Sequence, residues 1–90
     1  MTQNGDWYDV KLRFVGKAAM YVKDYSYGQD QTIEECVDGS TIISVKMQYK
    51  DNITKFVLNY GIECEVIEPE WLKEEVYKHI CLMKDKYERK

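Results

Sequence analysis

Ninety residues with 13 basic and 16 acidic side chains, a net charge of -3 and a pI near 5.1 describe one small domain, with no room for a second core. Leu, Ile, Val and Phe supply 21 of the 90 residues, enough to set the chain apart from disordered segments of low hydrophobicity and high charge. The acidic balance disfavours wrapping of a nucleic-acid backbone by this domain alone, since that needs a basic face.

No apolar run approaches the roughly 20 residues that span a bilayer, and Met1 is followed by polar Thr2 to Asp6 rather than a signal sequence. Cys36, Cys64 and Cys81 are widely spaced and follow no CxxC or Cys/His pattern, so neither a disulfide framework nor a zinc site is expected, and a reducing cytoplasm fits best.

After a polar tail over residues 1–6, Trp7 to Val15 sets Tyr8, Val10, Leu12 and Phe14 against Asp9, Lys11 and Arg13, the alternation of a half-buried strand. Gly16 ends it. Ala18, Tyr21, Val22 and Tyr25 then fall at helical spacing, which predicts a short helix from Lys17 to about Ser26, stopped by Gly28. Gln31 to Val37 and Ser40 to Tyr49 are strand-like arms joined at Asp38-Gly39, a dipeptide suited to a two-residue hairpin turn. On the second arm Thr41, Ile43, Val45, Met47 and Tyr49 share one face.

Asp51 or Asn52 can cap a second helix with Ile53, Phe56, Val57 and Tyr60 on its apolar stripe and Gly61 beyond its end. Ile62 to Ile67 returns as a strand. Pro69 suits the first turn of a last helix carrying Leu72, Val76, Ile80, Met83 and Tyr87. Six glutamates between residues 63 and 75 precede five basic residues between 76 and 90, a polarity that matches a helix dipole.

The expected fold is therefore α+β, a ferredoxin-like βαββαβ sandwich with an additional C-terminal helix. The sheet face away from its helices would carry Lys11, Arg13, Ser44, Lys46, Gln48, Glu63 and Glu65. Lys11, Arg13 and Lys46 would converge there, either to hold phosphate or carboxylate or to pair with Glu63 and Glu65 at the surface. Tyr21, Tyr25 and Tyr60 belong to apolar stripes, whereas Tyr27, Tyr77 and Trp71 fit them poorly and are contact candidates. His79, the single histidine, has no nucleophile placed beside it. Glu63, Glu65, Glu68 and Glu70 read as solvated or lysine-paired rather than as an acid/base or metal pair. The scattered glycines form no phosphate loop, and no cofactor or metal is expected.

The segments V10-K-L-R-F14, D38-G-S40 and F56-V-L-N-Y-G61, followed by V66-I-E-P69 and Leu72, resemble the C-terminal extension (WCX) domain that follows the WYL domain in bacterial transcriptional regulators. The resemblance runs from about Asp9 to Tyr87. This chain has Tyr27-Gly28 and then Gln31 where that family often has Trp-His before a Gln, so no histidine role carries over. Trp7-Tyr8-Asp9 is not the WYL motif. The resemblance implies a non-catalytic dimerisation and signal-coupling module, packed against a second copy or the WYL domain of a partner protomer. DNA would be reached only through an N-terminal winged helix outside this sequence, and an anionic or nucleic-acid ligand through the WYL domain. On this reading the chain is an excised regulator domain; a freestanding accessory or inhibitor protein, or an ACT-like small-molecule sensor, is the alternative.

Overall fold

The computed structural model describes residues 6–89; the polar tail expected over 1–6 lies, apart from Asp6, outside the described residues. The elements run β1 (Trp7–Phe14), α1 (Gly16–Tyr21) continued by a 3-10 turn (Val22–Asp24), β2 (Gln29–Glu35), β3 (Thr41–Gln48), α2 (Lys50–Asn59), a second 3-10 turn (Gly61–Glu63), β4 (Cys64–Glu68) and α3 (Glu70–Glu88). The result is an α+β domain with one four-stranded sheet in the order β2-β3-β1-β4. Every neighbouring pair is antiparallel.

The alternation on β1 decides the layering. Val10, Leu12 and Phe14 are buried, opposite Val45, Ile43 and Thr41 on β3, and Leu12 also lies opposite Val66 on β4. Ala18, Ala19 and Val22 of the α1 segment, Ile53 and Val57 of α2 and Leu72 of α3 complete the same cluster. All three helices thus cover one sheet face. The alanines let α1 approach closely, and the buried Thr41 hydroxyl donates to the Ala19 carbonyl at 2.9 Å, which satisfies both groups where water is excluded.

Several boundaries differ from the sequence pattern, each for a local reason. The first helix ends at Asp24 rather than Ser26, because Tyr25 is already extended (φ -126°, ψ 154°). The Gln31 side chain fixes the following loop by donating to the Tyr25 carbonyl at 2.7 Å and accepting from the Tyr27 N–H at 2.8 Å. Tyr21 and Tyr25 consequently project outward instead of joining the core. The hairpin loop is longer than two residues: Cys36 N–H donates to the Ser40 carbonyl and Gly39 N–H to the Cys36 carbonyl. Val37, Asp38 and Gly39 form the loop, with Gly39 at φ +93°, as in hairpins that close through a left-handed glycine.

Tyr49 leaves the strand face expected for it. Its φ of 67° turns the chain into α2, where its carbonyl accepts from Ile53 N–H, so the helix starts at Lys50, ahead of Asp51 and Asn52. Glu63 is not on β4 but in the 3-10 turn, and its carboxylate accepts from Ala18 N–H at 3.3 Å in the first turn of α1. Pro69 stands just before α3, not in its first turn, and its carbonyl accepts from the Leu72 and Lys73 N–H groups. The apolar stripe of α3 divides: Leu72 is fully buried and Val76 packs against the core, whereas Ile80, Met83 and Tyr87 are exposed. Ile80, Met83 and Tyr87 instead border an open apolar cleft of about 460 Å3 with Leu58, Ile62 and Cys64, which no element fills among the described residues.

Gly28 lies against β3, where a Cβ would strike the Lys46 carbonyl and stand 2.9 Å from a Val45 methyl. Gly28→Ala is expected to cost ~1–3 kcal/mol through overpacking, read as a lower midpoint in chemical denaturation. An unchanged midpoint would show that the loop yields freely.

Candidate functional site, the uncovered sheet face

Because the helices share one side, the other side of the sheet has no cover among the described residues. Trp7, Asp9, Lys11 and Arg13 of β1 face this side, with Ile42, Ser44, Lys46 and Gln48 of β3, Glu34 of β2 and Glu65 of β4. Ile42 and Ile67 are half-buried here without joining the core cluster, and Trp7 is 45% exposed. The face therefore mixes apolar side chains with charges of both signs.

The three cations expected to converge do share this face, but acids already neutralise two of them. Arg13 Nη2 reaches Asp38 at 2.7 Å while Nη1 lies 3.7 Å from Glu65. Lys46 Nζ is 3.0 Å from Asp9. Beside them Asp9, Lys11, Asp30, Ser44, Lys46 and Glu68 line a shallow hollow of about 300 Å3. With two lysines and three carboxylates around it, the hollow suits a partner that carries both signs better than a simple anion. The expected pairing with Glu65 is present; pairing with Glu63 is not, since that carboxylate caps α1.

Asp38 is the residue that pattern reading left in a turn and the fold brings to the site. Its carboxylate accepts from the Ser40 hydroxyl at 2.6 Å and the Ser40 N–H at 2.9 Å as well as from Arg13. The Ser40 hydroxyl first, then its N–H and the Arg13 guanidinium, hold Asp38 at about 2, below the ordinary 3.8. The hairpin tip is thereby tied to the central strand. The signal available in the sequence was Asp38 two residues before Ser40, the spacing of an Asx-type turn.

Tyr27 and Trp71 lie elsewhere, on the helical side. Tyr27 packs on Phe56 with ring centroids 5.1 Å apart, and burial, then a side-chain hydrogen bond with Tyr60, raises its pKa. Trp71 stands edge-on to Tyr8 at 5.3 Å, with Lys50 Nζ 4.9 Å from the Trp71 ring and 5.5 Å from that of Tyr8, a cation–π arrangement. Both rings thus pack against the core and do not join the three cations. Tyr77 is exposed on α3. His79 is half-exposed on the same helix, 4.0 Å from Glu75. Burial pushes the Cys64 thiol up to about 12, which keeps it protonated and unreactive at neutral pH. Among the described residues no three His, Cys, Asp or Glu side chains gather as metal ligands, and no helix is long and apolar enough to cross a membrane.

Fold and surface together define a small α+β domain with one face packed under helices and the other left open. The WCX domain family matches residues 7–80, and the chain belongs to that family. No curated protein matches the chain.

The depressed Asp38 pKa makes a signed prediction. The stabilisation from its ionised form is fully present above the unfolded value near 3.8 and is lost as pH falls through about 2. Asp38→Ala should therefore lie below the parent in thermal midpoint at neutral pH, with the gap narrowing across that window. A gap that stays constant down to the lower limit would remove the carboxylate from the account and leave only turn propensity.

Proposed function

We propose that this domain is the non-catalytic dimerisation and signal-coupling part of a bacterial transcriptional regulator, and that the open sheet face is its contact surface. The supporting observation is the one-sided layering: Trp7, Ile42 and Ile67 remain uncovered beside ion pairs of both signs. A second folded surface would bury the apolar members, and the mixed charges would set its orientation. The strand order also favours the ferredoxin-like reading, because β1 and β2 flank β3 while β3 and β4 flank β1, the interleaving of two split β-α-β units.

Membership of the WCX family supports a place in a regulator that carries separate DNA-binding and WYL domains, with WYL-bound ligand state passed through the open face. The net charge of -3 argues that DNA contact belongs to another domain. The paired state of Arg13 and Lys46 favours a protein surface over a free anion as their partner.

Sedimentation of the chain across a dilution series should show a reversible dimer. Ile42→Lys, on a half-buried open-face position, should weaken that dimer at least about tenfold, equivalent to ~1.4 kcal/mol, with the circular dichroism spectrum unchanged. A monomer at every concentration, or a dimer indifferent to Ile42→Lys, would overturn the assignment. Duplex DNA should show no salt-sensitive affinity for the isolated chain in a fluorescence anisotropy titration; tight binding that weakens with salt would contradict the division of labour.

A further inference from the structure

β4 is an edge strand, and its outer side is unpaired among the described residues. The flank of α3 runs beside it. Between them lies a groove of about 420 Å3 whose walls include Glu65, Val66, Lys73, Val76, Tyr77 and Ile80. Val15 N–H donates to the Glu63 carbonyl at 2.9 Å. The alternation of an antiparallel ladder then turns the backbone groups of Glu65 toward β1 and those of Val66 toward the outer edge. An edge of this kind is a template for a further strand.

The chemistry such a strand needs can be read from β1, which occupies the other edge of β4. There Arg13 lies opposite Glu65, Leu12 opposite Val66 and Lys11 opposite Glu68. Basic residues meet glutamates while the intervening apolar residue points toward the helices. The outer edge repeats the offer. The Glu65 side chain is 72% exposed, and Glu68 is exposed with no ion pair among the described residues. Tyr77 and Ile80, both exposed, supply an apolar wall. The β4 of a second copy would bring its own glutamates to this acidic edge, so a strand of the opposite charge is favoured.

We propose that the β4 edge and the α3 flank form a strand-addition groove for an extended segment of a partner protein in which basic and apolar residues alternate. The basic side chains meet Glu65 and Glu68, the apolar ones pack on Tyr77 and Ile80, and Val66 exchanges backbone hydrogen bonds with the added strand. The seat of the strand, along the β4 edge and the α3 flank, adjoins the open sheet face and shares with it only Glu65 and Glu68; the strand-addition proposal does not rest on the dimer assignment.

The test uses the whole 90-residue chain and a synthetic peptide copying residues 8–15 as probe. Amide NMR should show shifts centred on Val66 and on Tyr77 and Ile80, with slower solvent exchange of the Val66 N–H. A peptide carrying Glu at both basic positions should bind at least about tenfold more weakly, and Ile80→Lys should produce a similar loss with an unchanged thermal midpoint. Equal binding of the two peptides, shifts located away from β4, or no binding would overturn the proposal. So would protection of the Val66 amide that rises with protein concentration in the absence of peptide, since a second copy would then be the occupant.

Discussion

The structure depends on the burial of one side of β1. Val10, Leu12 and Phe14 lie on the central strand, opposite β3 throughout and flanked by β4 at Leu12 and Phe14, and each is almost wholly removed from water. Fully burying such side chains contributes ~1.5–3 kcal/mol each, and the strand period of two sends every intervening residue to the opposite side. Asp9, Lys11 and Arg13 must then face away from the helices. The same rule applied to β3 puts Ser44, Lys46 and half-buried Ile42 beside them. The open face is the geometric consequence of satisfying the core.

The strands and helices that build this core were legible because period and burial agree in them. The stripe of Ile53 and Val57 in α2, the alternation of β1 and the β3 face of Thr41, Ile43 and Val45 all became buried surfaces. A regular pattern does not always hold its structural role through to its last apolar residue. Ile80, Met83 and Tyr87 keep helical spacing, but they face an open cleft beside Leu58, Ile62 and Cys64 that no element fills among the described residues. Tyr49 keeps strand spacing, but its positive φ already belongs to the turn into α2. Glu63 continues the alternation of β4 in sequence, yet a carboxylate next to the unsatisfied N–H groups of α1 satisfies one of them.

The site was legible in part. Alternation placed Lys11, Arg13 and Lys46 on one face, and register brought Glu65 to Arg13. The carboxylates that complete the pairs depend on tertiary proximity: Asp38 reaches Arg13 from a hairpin tip 25 residues away in sequence, and Asp9 meets Lys46 across 37. Tyr27 and Trp71 fell outside the helical stripes because neither packs by helix periodicity. A loop pinned by Gln31 brings Tyr27 to Phe56, and Trp71 fills the corner between Tyr8 and Lys50. Poor fit to a stripe marked an irregular packing site, and the charges on the sheet were the better guide to the open surface.

The isoleucines sample every environment that this account distinguishes. Ile43 and Ile53 are in the core, Ile42 and Ile67 on the open face, Ile62 and Ile80 beside the exposed half of α3, and Ile33 on β2. Solvent paramagnetic relaxation of their methyl groups, followed as the protein is concentrated, measures directly which surface association covers. The account predicts that Ile42 and Ile67 lose contact with solvent together while Ile33 and Ile62 keep theirs and Ile43 and Ile53 remain shielded throughout. Association that shields Ile62 and Ile80 and leaves Ile42 and Ile67 accessible would contradict it.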